Sequence, residues 1–340
     1  SGRVPLIGVT GTKGKTTTTY LIQSILKKAW GKAYRFGTVE HDLGTVVKPA
    51  RNTTPESLDL MCLMDEAIRG GARAGVMEVS SHALKTSRVN DLIFAAVGFS
   101  NLSMEHTEFH PTMEDYYLAK RRLFLELLPK GRTGAVCIDG EYGLRLAREC
   151  REQGVKILTV SLDRAEADIH AESIAVSGSE SAFVINAGGS KFPCRIHLPG
   201  HFNVGNALLA AGLSRALGIE WPVIVAGIQD LQRVPGRFET VPNSRKLTVI
   251  VDYAHSPASL ENVLKAVRPL ASKRVITVFG CGGNRSHEKR PVMGRLSAEL
   301  SDVTIVTSDN PRKERPEDII TQIMTGVTPV VETLKKEVHV

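Results

Sequence analysis

Residues 4–30 read V-P-L-I-G-V-T-G-T-K-G-K-T-T-T-T-Y-L-I-Q-S-I-L-K-K-A-W, and this stretch decides the fold. The apolar segment from Val4 to Thr10 predicts a short buried strand. Helical spacing of apolar residues from Thr16 to Ala29 predicts a helix, and a glycine-rich loop separates the two. Strand, glycine loop and helix in this order open an α/β nucleotide-binding domain.

The loop itself is a candidate phosphate site, formed by Gly11, Thr12, Lys13, Gly14, Lys15 and Thr16, with Thr17 following. The strict phosphate-loop pattern fails, because Val9 stands where its first glycine belongs. The chemistry still suits ATP: glycines let backbone N–H groups approach phosphate oxygens, and a helix N-terminus adds positive potential. Lys15 can reach the β- and γ-phosphates, and the Thr16 hydroxyl can bind Mg²⁺. A glycine turn before an ordinary helix is the alternative, and the context favours a nucleotide.

The rest of the chain alternates strands and helices, which predicts a largely parallel sheet. We expect strands at Ala74–Val79, Phe94–Phe99 and Gly134–Ile138, and helices at Leu58–Arg69, Tyr116–Leu128 and Asn203–Leu217. Ala167–Leu198 is rich in β-branched residues and glycine turns, which predicts an antiparallel excursion.

The turn-forming cluster Arg233–Arg237 is a candidate boundary between two domains. Strands are expected beyond it at Leu247–Asp252, Val275–Phe279 and Val303–Thr307. The predicted fold class is α/β: a central P-loop-type domain with a mostly parallel sheet at 1–235, followed by a smaller Rossmann-like domain at 236–340.

Composition narrows the class of protein. The chain has 340 residues, a net charge of +7 and 5% aromatic residues. Basic residues are scattered and aromatics are few, which favours anionic small molecules over nucleic acid. The five cysteines include no C-x-x-C pair, which indicates free thiols in a reducing cytoplasm. No apolar run approaches the roughly 18 residues of a membrane helix, so we expect no membrane partner. A monomer is expected, although the sequence does not fix the oligomeric state.

Several motifs occur in one order along nearly the whole chain: Gly11–Thr17, Asn52–Pro55, Met77–His82, Tyr117–Lys120, Val251–His255, Phe279–Gly283 and Asp309–Arg312. Together they resemble the Mur ligase family, whose variant phosphate loop is Gly-Thr-x-Gly-Lys-Thr-Thr. The resemblance implies an ATP- and Mg²⁺-dependent ligase. The combination is similar to the member that adds meso-diaminopimelate to UDP-N-acetylmuramoyl-L-Ala-D-Glu, the UDP-muramoyl-dipeptide, in peptidoglycan synthesis.

Amide synthesis from a carboxylate and ATP proceeds most simply through an acyl phosphate, which an amine then attacks. Cations must neutralise the charge that develops. The resemblance implies catalytic roles for Lys15, Lys120, His106 and Glu78. Thr16, Glu78, His106 and a carbamylated Lys120 are the implied metal ligands. The segment around His106 departs from the family's usual Arg-Asp-His-Leu-Asp, since Met104, Glu105, Thr107 and Glu108 replace its other positions.

The remaining implied roles concern binding. ATP contacts beyond the loop are implied for Asn203, Asn206, Arg237, Asp252 and His255. Substrate contacts are implied for Asn52, Thr53, Thr54, Ser80, Arg88, Arg285, Asp309, Asn310 and Arg312. Arg312 is the residue implied to select diaminopimelate, because a bidentate guanidinium suits its second carboxylate. Helix capping or ordinary surface positions are the alternative for several of these residues.

The family also has a domain ahead of the phosphate loop and a Gly-Lys-Gly-His-Glu segment beyond the diaminopimelate arginine. This chain contains neither, so we interpret 1–235 as the central domain and 236–340 as an incomplete C-terminal domain. Three alternatives stay open. They are a related ligase with another amino-acid substrate, such as a folylpolyglutamate or cyanophycin-type synthetase, a catalytically reduced nucleotide-binding module, and a P-loop GTPase or kinase. Against the GTPase or kinase alternative, the sequence has no guanine-reading Asn-Lys-x-Asp motif and no kinase motifs.

Overall fold

The protein is described by a computed structural model at residues 4–103, 109–245 and 247–340. It divides into two compact units, Ser1–Pro235 and Gly236–Val340, called here the first unit and the second unit. No helix among the described residues is both long enough and apolar enough to cross a membrane.

Within the described part of the first unit, eleven strands form one sheet. They are β1 (Leu6–Thr10), β2 (Ala33–Phe36), β3 (Glu40–Asp42), β4 (Val47–Pro49), β5 (Ala74–Glu78), β6 (Ala96–Phe99), β7 (Thr133–Cys137), β8 (Lys156–Ser161), β9 (Ile169–Val176), β10 (Ser181–Ala187) and β11 (Ser190–Ile196). Their order across the sheet is β11-β10-β9-β8-β7-β6-β1-β5-β2-β3-β4. Neighbours from β9 to β2 run parallel, whereas β10, β11, β3 and β4 are antiparallel additions at the two ends. The predicted parallel sheet and its antiparallel excursion are both confirmed.

Helices cover both faces of this sheet. They are α1 (Lys15–Trp30), α2 (Ser57–Arg69), α3 (Ser81–Lys85), α4 (Met113–Leu125), α5 (Glu141–Glu152), α6 (His201–Ala216) and α7 (Trp221–Asp230). One apolar core joins the sheet to α1, α6 and α7, and the other joins it to α2, α4 and α5. Helices α1 and α7 approach closely, since a Cβ on Gly227 would lie 2.5 Å from Ile25 Cα and Ser24 Oγ donates to Gly227 O at 2.6 Å.

Strand β1 lies at the centre and explains why the opening stretch decides the fold. All five of its residues are buried, with Ile7 and Val9 in one core and Leu6 in the other. Strands β5 and β6 flank it in parallel, and their registers place Val9 beside Glu78 and Thr10 beside Phe99. Because parallel strands end at the same edge, the loops after them meet there.

The described residues of the second unit form two small sheets. Antiparallel β12 (Glu239–Val241) and β13 (Val249–Val251) form one, and parallel β14 (Ile276–Phe279), β15 (Val303–Val306) and β16 (Glu337–His339) form the other. Helices α8 (Pro257–Val267), α9 (Lys289–Leu300) and α10 (Pro316–Leu334), with a short 3₁₀ turn at Arg268–Leu270, accompany them. An apolar core formed largely by the three helices and β15 holds this α/β unit together.

We predict that Gly75→Ala destabilises the first unit by about 1–3 kcal/mol, the usual cost of overpacking a core. A Cβ at this position would lie 2.0 Å from Cζ of the fully buried Tyr34, so the ring would have to shift within the core. Urea unfolding would measure the change. Gly178→Ala is the matched control, because its Cβ would meet nothing within 4 Å. Equal unfolding midpoints for both variants would contradict the prediction.

Candidate active site

The glycine loop between β1 and α1 is shaped by two close approaches. Gly11 has φ +143° and Gly14 has φ +84°, which are conformations that L side chains rarely adopt. A Cβ on Gly11 would lie 1.9 Å from Ser100 Oγ, and one on Gly14 would lie 2.3 Å from Asn206 Oδ1. The two glycines are therefore required by the packing of the loop as well as by its backbone.

The segment after β6 fixes this loop with hydrogen bonds. Lys13 N donates to Asn101 Oδ1 at 2.9 Å, and Asn101 Nδ2 donates to Lys13 O at 3.1 Å. Thr12 N donates to Asn101 O at 2.9 Å, and Ser100 Oγ donates to Lys13 O at 2.6 Å. Four hydrogen bonds from residues 100 and 101 and their partners therefore hold the loop in place.

Two ammonium groups converge on one carbonyl oxygen of the loop. Lys15 Nζ donates to Gly11 O at 2.8 Å and to Thr12 O at 3.0 Å. Lys120, on α4 and 1% exposed, donates to the same Gly11 O at 2.9 Å. Its ammonium also lies 4.5 Å from the ring centroid of Tyr116. Two positive charges and the N-terminus of α1 make this edge of the sheet attractive to anions.

Glu78 ends β5 at the same edge and is 1% exposed. Its carboxylate accepts from Thr38 N at 2.8 Å and from Thr38 Oγ1 at 3.0 Å, in the loop after β2. Thr16 and Thr17, each 5% exposed, lie in the first turn of α1. His106 lies outside the described residues, among which no group of three or more His, Cys, Asp or Glu side chains gathers as a metal site.

The predicted substrate loop is brought to Glu78. Thr54 Oγ1 donates to Glu78 O at 2.9 Å and accepts from Ser80 N at 3.1 Å. Thr53 Oγ1 lies 3.1 Å from Thr38 Oγ1, and Arg88 donates to Thr54 O at 3.2 Å. Asn52 is exposed at the start of this loop.

The two asparagines of α6 lie against the phosphate loop. Asn206 faces Gly14, and its Oδ1 is 3.5 Å from Thr18 Oγ1. Asn203 Oδ1 accepts from Asn206 Nδ2 at 3.2 Å, while Asn203 Nδ2 donates to Pro199 O at 2.9 Å. Both side chains are buried, and neither caps α6, because no side chain among the described residues accepts a hydrogen bond from the first backbone N–H groups of this helix.

In the second unit, Arg237, Asp252 and His255 lie near one another. Phe238 N donates to Asp252 Oδ2 at 2.8 Å, and burial raises the pKa of the Asp252 carboxyl. The Arg237 guanidinium lies 4.9 Å from the ring centroid of Tyr253, which also packs edge-on against His255.

The second unit also brings two glycine- and arginine-bearing loops together. Gly283 N donates to Asn310 O at 2.8 Å, and a Cβ on Gly283 would lie 1.9 Å from Pro311 O. Arg312 Nη1 donates back to Gly283 O. The exposed Arg285 and Asp309 lie in these two loops.

Lys289 follows the first of these loops, at the start of α9. Its pKa is lowered, first by burial and then by neighbouring cations that include Arg285 and Arg312. Lys289 Nζ donates to His255 O at 2.8 Å. The loops thus form a cationic surface suited to carboxylates.

Most of the chain matches two known protein-domain families. The model of the Mur ligase middle domain matches residues 9–214, and that of the Mur ligase glutamate ligase domain matches residues 236–339. The chain belongs to the Mur ligase family. It is 44% identical over 332 residues to UDP-N-acetylmuramoyl-L-alanyl-D-glutamate–2,6-diaminopimelate ligase of Geobacter sulfurreducens and 42% identical over 328 residues to that of Clostridium tetani. Each match covers 96% of this chain, which spans 64% and 66% of the lengths of these two relatives.

Solved structures with the same fold are consistent with membership of the Mur ligase family. A diaminopimelate ligase structure aligns with a TM-score of 0.73 and 30% identity, covering 99% of this chain and 67% of its own. The ADP complex of Mycobacterium tuberculosis folylpolyglutamate synthase aligns with a TM-score of 0.74 at 14% identity, covering 99% of this chain and 80% of its own. At that identity the second likeness concerns the fold alone.

Three residues that the sequence did not predict, Asn101, Thr38 and His110, also support the site of this Mur ligase chain. Asn101 and Thr38 lie in loops without a recognisable pattern, and their roles depend on the order of strands in the sheet. His110 is 2% exposed, with Nε2 3.0 Å from Ser81 Oγ and Nδ1 2.9 Å from Asp115 Oδ2. Such a series resembles a hydrolytic triad, but Ser81 is 5% exposed and starts a five-residue helix, so it lacks the access that a nucleophile needs. The series instead ties α3 to α4, the helix of Lys120.

We predict that Asn101→Ala loosens the phosphate loop. The change removes two hydrogen bonds to Lys13, each worth about 0.5–1.5 kcal/mol, so exchange of the Lys13 amide should be about tenfold faster or more. Hydrogen exchange with mass spectrometry would measure this. Asn186→Ala is the matched control, because Asn186 also makes two hydrogen bonds, to Glu172 and Gly189, in the antiparallel end of the sheet. Unchanged exchange at Lys13 would show that Asn101 does not hold the loop.

Proposed function

We propose that the chain forms an amide bond at the expense of ATP, adding meso-diaminopimelate to UDP-N-acetylmuramoyl-L-Ala-D-Glu for peptidoglycan synthesis. The observation that carries the proposal is the convergence of Lys15 and Lys120 on the phosphate loop beside Glu78. The names of the Geobacter and Clostridium relatives supply the substrates. ATP and UDP-linked precursors are molecules of the cytoplasm, so we propose that location, and a monomer acting on small molecules.

In the proposed reaction, the first unit holds the triphosphate. The loop from Gly11 to Thr17 binds the phosphates through its backbone N–H groups from Gly14 onward and through the ammonium of Lys15, while Asn101 keeps the N–H groups of Thr12 and Lys13. Lys15 leaves its two carbonyl partners to do so. The side chains of Asn203 and Asn206 are proposed to contact the nucleotide from α6. In the second unit, Arg237, Asp252 and His255 are proposed to contact ATP, with Asp252 suited to a ribose hydroxyl.

Mg²⁺ fits the donors at this edge. The Thr16 hydroxyl and the Glu78 carboxylate are hard oxygen ligands, and Mg²⁺ is commonly bound by one or two protein oxygens together with phosphates and water. We propose His106 and a carbamylated Lys120 as further ligands. When bound, Mg²⁺ would neutralise charge developing on the phosphates. The buried position of Lys120 keeps its amine near Gly11 and away from bulk water.

The carboxylate substrate is proposed to lie between the phosphate loop and the loop of Asn52, Thr53 and Thr54, with Ser80 and Arg88 beside it. There its oxygen attacks the γ-phosphorus, ADP leaves, and the acyl phosphate forms. The amine of diaminopimelate then attacks the acyl carbon and phosphate departs. Arg285 is proposed to bind one carboxylate of diaminopimelate and Arg312 the other, with Asp309 and Asn310 near its amino group.

Phosphate release tests the proposed function. ATP, UDP-muramoyl-dipeptide and diaminopimelate would be supplied together and with each omitted in turn. Release that requires all three supports the ligase, and replacement of diaminopimelate by lysine tests the amino-acid specificity. Binding of ATP with no release under any combination would instead identify a catalytically reduced nucleotide-binding module.

We predict that Arg312→Ala raises the Kd for diaminopimelate at least tenfold while the Kd for ADP stays within about twofold, since a charge-assisted bond to a carboxylate is worth about 1.5–3 kcal/mol. Calorimetry would measure both constants. Arg315→Ala is the matched control, because Arg315 is an exposed arginine three residues further on. Equal weakening of both ligands by Arg312→Ala would refute its part in specificity.

A further inference from the structure

Arg290 is a buried cation in the first turn of α9, and its side chain is 0% exposed. Its guanidinium forms a two-pronged ion pair with Glu314, with Nη1 2.8 Å from Oε2 and Nη2 2.9 Å from Oε1. Nη1 also donates to Gln322 Oε1 at 2.8 Å, on α10. A buried arginine whose two terminal nitrogens are bonded to two side chains in this way has a fixed position, although its Nε is buried without a hydrogen-bond partner among the described residues.

Glu314 joins this cation to both arginine-bearing loops. It lies two residues after Arg312, and its carboxylate also accepts a hydrogen bond from the backbone N–H of Asn284, the residue before Arg285. These bonds, that of Arg290 first, hold the pKa of Glu314 at about 2. Asn284 Oδ1 accepts in turn from Lys313 N at 3.1 Å. One carboxylate therefore connects Arg290 to both loops, beside the direct hydrogen bonds Gly283 N to Asn310 O and Lys313 N to Asn284 Oδ1.

Each of the two loops contains one residue with a left-handed backbone conformation. Asn284 has φ +53° and Arg312 has φ +52°, both in the left-handed region. Asparagine tolerates this conformation, whereas arginine rarely adopts it. Asn284 donates to the carboxylate of Glu314, and Arg312 lies two residues before Glu314, so the ion pair is attached to the chain close to both left-handed residues.

We propose that Arg290 and Glu314 are positioning residues for the amino-acid subsite, and that their ion pair fixes the spacing of the Arg285 and Arg312 guanidiniums. This inference rests on the proposed function for the identity of the ligand. A buried ion pair is weak evidence for stability, because apolar residues of similar volume often replace it without loss. The pair is therefore expected to matter more for the geometry of the two loops than for folding.

Two variants test the proposal in the full chain. Glu314→Gln removes the charge and keeps the shape, while the double variant Arg290→Met with Glu314→Leu replaces the whole pair and guards against a buried unpaired cation. Calorimetry with meso-diaminopimelate and separately with ADP gives the two constants. We expect at least a tenfold rise in the Kd for diaminopimelate and a change within twofold for ADP. Parallel weakening of both ligands, or no change in either, would overturn the proposal.

Glu299→Gln is the matched control, because Glu299 forms an exposed ion pair with Arg295 on the same helix. It should leave both constants unchanged. Hydrogen exchange separates this inference from the proposed function, because it needs no ligand. Amides of 283–285 and 310–314 should exchange at least tenfold faster in the double variant, whereas those of β15 should not change. If wild-type chain fails to bind diaminopimelate, the proposed function fails, and the exchange result still decides whether the ion pair orders the loops.

Discussion

The carbonyl oxygen of Gly11 accepts hydrogen bonds from two ammonium groups, and the first unit is arranged around this contact. Lys15 comes from the helix that follows the loop, and Lys120 comes from a helix more than a hundred residues later. Two like charges repel each other, so their approach to one oxygen requires rigid support from the sheet and both cores. The arrangement costs free energy in the free protein and provides a prepared site for a polyanion.

Support for this contact comes from the loops at one sheet edge. Asn101 fixes the backbone of Lys13, Asn206 packs on Gly14, and Thr38 holds the carboxylate of Glu78. Asn101 and Thr38 each act on the end of a neighbouring strand, so this part of the site depends on strand order. The second unit uses a similar device, in which glycines permit two loops to touch and a buried ion pair sets their spacing.

Much of the fold was predictable from the sequence because strands, helices and turns are indicated by short stretches of residues. The buried strand β1, the helix after it and the antiparallel strands β9 to β11 follow from periodicity and turn residues. The fourth helix was predicted at Tyr116–Leu128 but runs from Met113 to Leu125, since Thr112 caps it by accepting from Asp115 N. Phe94 was assigned to a strand on its hydrophobicity, yet it is buried just before β6. Asn101, Thr38 and the partners of Arg290 escaped prediction because their contacts join segments far apart in the chain.

The close packing of α1 on α7 has a mechanical consequence. Gly227 lets the two helix backbones approach, and Ser24 joins them with a hydrogen bond, so rotation or sliding of α1 would break this contact. A phosphate arriving at its N-terminus therefore meets a stationary dipole. The response falls to the side chain of Lys15, which is not fully buried and can change rotamer quickly, whereas Lys120 is held in the interior. The first unit thus combines a fixed helix terminus with one movable charge.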